Sequence, residues 1–248
     1  MNLFVMAYLL RVAGAEEVSI GSARTLYQQA MSTENIVEQQ KIAAESLDIY
    51  KTVLLEEKES SWISHPHVWV DMGNVALIGK DIGYASFAYH KATQLDPSLP
   101  SAAQNLRWIE KQYLVEWSVT KKNSMWNTVF FWKGWLPTVG SIALSSLMFA
   151  IALFVPKRLV LWRQIAVVCW LVLWIGVVVD LFAPQKCVVI TDNAMLRSAD
   201  QVSAPLVHTK ALPPGISMEI LQQQDIWTQV QLPSGEKGWV SSTAVLAL

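Results

Sequence analysis

Apolar positions in this chain recur first at helical period, then fill two unbroken runs, then alternate with polar ones. From about Ser22 to Gln112, charged and apolar residues mix with a spacing of three and four, the mark of amphipathic helices. The pattern predicts a first pair over Ala23–Ala30 and Val37–Glu57, in which Ala43, Leu47, Tyr50 and Leu54 share one face. A second pair runs over His67–Ile78 and Ile82–Leu95, joined by Gly79-Lys80-Asp81 and stopped at Asp96-Pro97, where proline cannot continue the hydrogen-bond ladder. A further helix starts at Ser98-Leu99-Pro100 and runs through Ala102, Leu106, Ile109 and Tyr113.

The two unbroken runs cover 136–155 and 165–183, each about the twenty residues that cross ~30 Å of hydrocarbon. A basic, aromatic stretch from Trp117 to Trp135 precedes them and suits a membrane surface. Between them, 156–164 forms a connector carrying Lys157, Arg158 and Arg163. This dense positive charge against both spans favours a cytoplasmic connector. Asp180 is the ionisable residue inside the runs. It lies about one turn from the end and is expected to reach the interface rather than serve an ion path. At the N-terminus, the apolar core Leu3–Leu10 and the small-residue site Ala13-Gly14-Ala15 predict a secretory signal over 1–15, although no Lys or Arg precedes the core. The signal and the connector both put the flanking soluble segments outside the cytoplasm, on the periplasmic side in a Gram-negative cell.

Beyond Lys186 the texture is that of short strands: Cys187–Thr191, Ile216–Leu221, Ile226–Leu232 and Gly238–Val240, with a hairpin turn at Leu232-Pro233-Ser234-Gly235-Glu236. Sixty residues of short strands and turns suit a small SH3-like barrel over 186–248. The expected architecture is therefore a multi-domain membrane protein. It has an all-α N-terminal domain over 16–116, a two-helix transmembrane hairpin and an all-β barrel at the C-terminus.

Composition sharpens this picture. Apolar residues make up 52% and charged ones 16%, a charge deficit concentrated in the two runs. A net charge of −1 with no basic stripe removes the electrostatic case for nucleic acid. The two cysteines, Cys169 and Cys187, would lie about 27 Å apart on a continuous helix. That is far beyond the Cα separation of about 7 Å that a disulfide spans, so both read as small buried hydrophobes.

The sequence contains no nucleophile elbow, phosphate-binding glycine loop, zinc motif or paired catalytic carboxylates, so no catalytic, cofactor or metal site is expected. His65 and His67 flank Pro66 without further ligand partners and read as polar residues at a helix start. What remains is binding surface. His67, Val70, Asn74 and Leu77 line one stripe of their helix and could hold a peptide or pack on a neighbour. Trp227 and Trp239 could present an aromatic groove to a peptide, though completing the small core is the favoured role for Trp239.

Three stretches carry family resemblances. Counting Pro66 as the first position, Trp69, Gly73, Ala85, Ala92 and Pro97 match the tetratricopeptide-repeat pattern, with the clearest repeat over 66–99. Ala76 departs from it, and the preceding helix pair matches poorly. In the tail, Trp227-x-Gln229-Val230 followed by Pro233-Ser234-Gly235 and Gly238-Trp239-Val240 resembles the bacterial SH3 domain. Val188-x-x-Thr191 through Ser198 is similar to its opening segment, and Leu212-Pro213-Pro214-Gly215 to the turn before its next strand. Signal, repeats, two spans and terminal SH3-like domain together resemble the E-type membrane protein of the Bat aerotolerance operon. The resemblance implies a non-enzymatic scaffold of the bacterial inner membrane, with a role in aerotolerance or envelope stress. It implies von Willebrand A-domain membrane proteins and a MoxR-type ATPase as partners. Peptidoglycan peptides are the alternative ligand, since bacterial SH3 domains often hold them.

Overall fold

A computed structural model describes residues 20–56, 61–117, 138–154, 160–181 and 185–248. The expected signal, most of the interfacial stretch with Lys121, Lys122 and Lys133, and Lys157 and Arg158 of the connector lie outside these residues. The chain divides into two compact units. One joins everything before residue 120 to Gln185–Leu248, and the other is Thr120–Pro184. The expected boundary between a helical and a β domain is thus crossed by a single unit.

Five helices open that unit: α1 over 20–32, α2 Ile36–Lys51, α3 Pro66–Ile78, α4 Ile82–Leu95 and α5 Pro100–Tyr113. Their ends follow local chemistry. The Asn35 side chain accepts from the Val37 and Glu38 amides at the start of α2, and Asp81 accepts from Tyr84 at the start of α4. Pro66 and Pro100 occupy first-turn positions, where a missing N–H costs nothing. In the α3–α4 turn it is Lys80, not Gly79, that takes the left-handed conformation, with φ of 61°. The segment expected to extend α2 to residue 57 instead widens into a π-turn over Thr52–Glu56.

Pairwise packing explains the small residues. A Cβ on Gly73 would lie 2.6 Å from a ring carbon of Tyr89, so α3 and α4 meet at this glycine. Trp69 is buried edge-on to Phe87, and its Nε1 donates to the Ile63 carbonyl at 2.8 Å. Ser46 ties α2 to α1 by donating to the Ala23 carbonyl.

The other half of the unit is a five-stranded antiparallel sheet: β1 Lys186–Val189, β2 Ser217–Gln224, β3 Trp227–Gln231, β4 Lys237–Ser241 and β5 Val245–Ala247, in the order β4-β3-β2-β1-β5. β5 is not among the segments that alternation marks, although the bacterial SH3 resemblance implies a closing strand after Gly238-Trp239-Val240. It is three residues long and follows a 3-10 turn at Ser242–Ala244. The outer edge of β4 is covered by Arg197, whose backbone N–H and C=O both bond to Trp239.

Helices and sheet share one core, from Ala23 through Tyr89 to Val245. At their junction a Cβ on Gly83 would lie 2.6 Å from the Ile190 Cα, so α4 rests directly on the chain leaving β1. Ser86 Oγ donates to the Gly215 carbonyl at 2.8 Å, and Gly215 itself has φ of +90°, which a side chain would strain.

The second unit holds α6 Thr138–Phe154 and α7 Val160–Leu181, packed together with the Phe149 and Trp170 rings 5.1 Å apart. α7 begins inside the expected connector, so Leu161, Trp162 and Arg163 are its first turn rather than a loop. Leu and Arg lose little rotamer freedom in a helix, and the long Arg163 stem lets its charge sit at the end of an apolar segment. Among the described residues, α7 is the one helix long and apolar enough to cross a membrane. Its Leu161–Val178 stretch has a mean hydropathy of 1.9 and is only 11% buried. α6 is shorter, 17 residues, or about 25 Å at 1.5 Å per residue. Cys169, expected to be buried, is exposed on α7.

Candidate functional site

The α3 stripe is divided by its own packing. His67 is exposed at the first turn, but Val70 is buried and so belongs to the core. Asn74 is half-buried, its Oδ1 accepting from the Tyr89 hydroxyl at 2.7 Å and from Asn105 Nδ2 at 3.2 Å. Leu77 is half-buried against the core. The structure therefore leaves His67 exposed and Asn74 and Leu77 partly exposed.

Beside the stripe, Arg24 Nε of α1 donates to Asp71 Oδ2 of α3 at 3.1 Å. The Tyr50 hydroxyl lies buried next to this pair without a hydrogen bond of good geometry. Burial, with the Asp71 carboxylate second, raises its pKa; burial likewise raises that of Tyr89. Helical spacing puts Tyr50 on the apolar face of its helix. It does not say which partners Arg24, Tyr50, Tyr89 and Asn105 find, because they come from four helices whose order in space depends on tertiary packing.

The two tryptophans share an outward face. Along β3 and β4, Thr228, Val230, Gly238 and Val240 are buried, which turns Trp227, Gln229 and Trp239 to the opposite side. Gln229 pairs directly with Trp239, and Trp227 with Ser241, so the two rings stand on a diagonal of one ladder. Trp239 is half-buried and does not complete the core, contrary to expectation. The core position beside it is held by Gly238, where a Cβ would come within 2.6 Å of the Leu196 Cγ. Arg197, paired with Trp239, donates from Nη1 to the Ala204 carbonyl at 2.9 Å.

Two cavities accompany these surfaces. One, of about 240 Å³, lies where Trp117 meets His208 edge-on at 5.1 Å, close to the His208–Glu236 pair. The other, of about 360 Å³, runs between the end of α4 and β5. Leu54, Leu55, Ile63, Phe87 and Leu246 line it, and Lys91 stands on its wall.

Among the described residues no group of three or more His, Cys, Asp or Glu could hold a metal ion. Cys187 is fully buried, and burial pushes its thiol up to about 12, which removes it as a nucleophile at neutral pH. The chain matches no protein-family model, no curated protein and no solved structure.

Proposed function

We propose that this chain is a membrane-anchored, non-enzymatic scaffold whose helical and β segments bind protein partners of a membrane complex. The observation that carries the reading is the shared core of those segments. They are separated in sequence by an apolar insertion yet pack together through Gly83, Ser86 and Gly215. A unit built from both sides of a membrane segment must lie wholly on one side of the bilayer. The number of crossings between its halves is then even. With α7 crossing once, α6 supplies the second crossing, since it lies within the uncharged run that the sequence shows over 136–155. The positive connector favours an outward-facing unit, periplasmic in a bacterial inner membrane.

The finer assignments rest on the same footing. Gly73 against Tyr89 supplies a packing reason for the small residue of a tetratricopeptide pair. Five short antiparallel strands, with the first and last paired, suit an SH3-like barrel. Partners of the von Willebrand A-domain and MoxR-type ATPase classes follow from the resemblance, with His67, Asn74 and Leu77 as the contact stripe.

Co-purification from solubilised membranes tests the scaffold role. Both partner classes are expected with the intact chain and not with His67→Glu or Leu77→Asp. Retention by both variants would remove the stripe from the proposal. Sidedness is tested by single cysteines at exposed Glu38 and Lys237 in a Cys169→Ser background, labelled in intact cells with an impermeant maleimide. Both positions are expected to react alike, and reaction at one alone sinks the single-sided unit.

A second reading is favoured by the outward pair Trp227 and Trp239: an aromatic face for peptidoglycan peptides. Pelleting with purified sacculi, abolished by Trp227→Ala, is its signature.

A further inference from the structure

The sheet has one edge that nothing described covers, and the larger cavity lies along it. Antiparallel alternation makes the neighbouring groups explicit. Leu248 N–H donates to the Lys186 carbonyl and Ile190 N–H to the Ala244 carbonyl, so residues 244, 246 and 248 face β1. Val245 and Ala247 accordingly turn their backbone groups away from the sheet. Ala247 is exposed, and among the described residues its N–H and C=O have no partner. The opposite edge, at β4, is closed by Arg197. Unpaired edge groups of this kind template the addition of a strand.

Beside that edge the cavity of about 360 Å³ has an apolar floor of Leu54, Leu55, Ile63 and Phe87. Among the described residues, its one charged wall residue is Lys91, with Nζ 5.7 Å from the Phe87 ring centroid and no carboxylate partner. Burial lowers the pKa of Lys91, the sign of an ammonium held partly out of water without compensation. Among the described residues three features therefore converge: a free backbone edge, an apolar trough and a cation without a carboxylate partner.

We infer that the β5 edge and the α4 trough form a docking site for an extended peptide segment of a partner protein. This peptide pairs with Ala247, places an aliphatic side chain over Phe87 and presents a carboxylate to Lys91. A strand offers side chains to alternate faces, so the aliphatic and acidic residues should stand within one or two positions of each other. A purely apolar occupant would leave Lys91 unpaired on closure, which is costly. The site is distinct from the α3 stripe and from the Trp227–Trp239 face, so it can fail while the scaffold reading stands, and the reverse.

The test uses the detergent-solubilised full chain against a bead-displayed library of random heptapeptides, followed by fluorescence anisotropy with the selected peptides. Enrichment of an aliphatic residue next to Asp or Glu is expected. Lys91→Gln should weaken binding about tenfold, and the same peptide with its acid changed to the amide should lose no more on that variant, since the two changes remove one interaction. Ala247→Pro deletes an outward N–H at an edge, where proline is tolerated, and should also weaken binding. Trp239→Ala and Asn74→Ala should leave it unchanged. Circular dichroism checks that each variant is folded. No enrichment, no acidic preference, or binding indifferent to both Lys91→Gln and Ala247→Pro overturns the site.

Discussion

Ser86 and Gly215, 129 residues apart in the chain, are joined by a 2.8 Å hydrogen bond from a buried hydroxyl to a backbone carbonyl. Replacing Ser86 with alanine leaves that carbonyl without its donor and should cost about 1–3 kcal/mol. Gly83→Ala is the harsher change, because the new Cβ meets the Ile190 Cα, backbone that cannot swing aside. We expect Gly83→Ala to destabilise at least as much as Ser86→Ala in denaturant titrations of the solubilised chain. Equal, negligible effects would show that helices and sheet do not depend on this junction.

The α3–α4 contact makes a coupled prediction. Gly73→Ala forces a Cβ onto the Tyr89 ring, which cannot rotate freely while its hydroxyl bonds Asn74. Overpacking of this kind costs about 1–3 kcal/mol. Tyr89→Leu makes room, so the double variant should be more stable than the sum of the single losses predicts. Strict additivity would argue against the contact.

Tyr50 should behave in the opposite sense. Its hydroxyl is buried and unbonded, so Tyr50→Phe removes a desolvated polar atom and keeps the ring. Unfolding free energy is expected to stay level or rise by up to about 1 kcal/mol. A clear loss would mean that Arg24 satisfies the hydroxyl in solution.

Alkaline stability follows from Cys187. Burial raises its folded pKa from 9.0 to about 12, so above pH 9 the unfolded chain releases a proton that the folded chain keeps. The unfolded state then binds fewer protons, and stability falls as pH rises through that window. Burial of Tyr50 and Tyr89 acts in the same direction at higher pH. Cys187→Ala should flatten the decline between pH 9 and 11, and a thiol reagent at pH 8 should reach Cys187 only on unfolding.

Much of the helical half was legible in the sequence because its ends are chemically marked. α4 spans Ile82–Leu95 as expected, between the cap at Asp81 and the stop at Asp96-Pro97. β5 escaped the alternation pattern because three residues after a 3-10 turn display too little of it to register. The Trp239 error had a remedy in plain view: Gly238 and Val240 flank it, and a period of two sends neighbours to opposite faces. The junction could not be read at all. Gly83, Ser86 and Gly215 are small, aperiodic and far apart, and their meaning arises only once the fold brings them together.

The candidate surfaces divide along the same line. Helical spacing placed His67, Val70, Asn74 and Leu77 on one stripe, but spacing says nothing about which neighbour arrives. Val70 therefore went to the core and Asn74 into a network with Tyr89 and Asn105. The Ala247 edge and Lys91 lie 156 positions apart in the chain, beyond any local pattern.

The discontinuous unit also imposes an order on biogenesis. The ribosome finishes α4 and α5, then makes the 65 residues of Thr120–Pro184, before the first strand of the sheet exists. At roughly 5–20 residues per second, that interval alone lasts on the order of 3–13 seconds. Throughout it, the flank of α4 bearing Ile82, Gly83 and Ser86 stands without the strand and turn that later cover it. A translation stall after residue 184 is therefore expected to leave that flank uncovered.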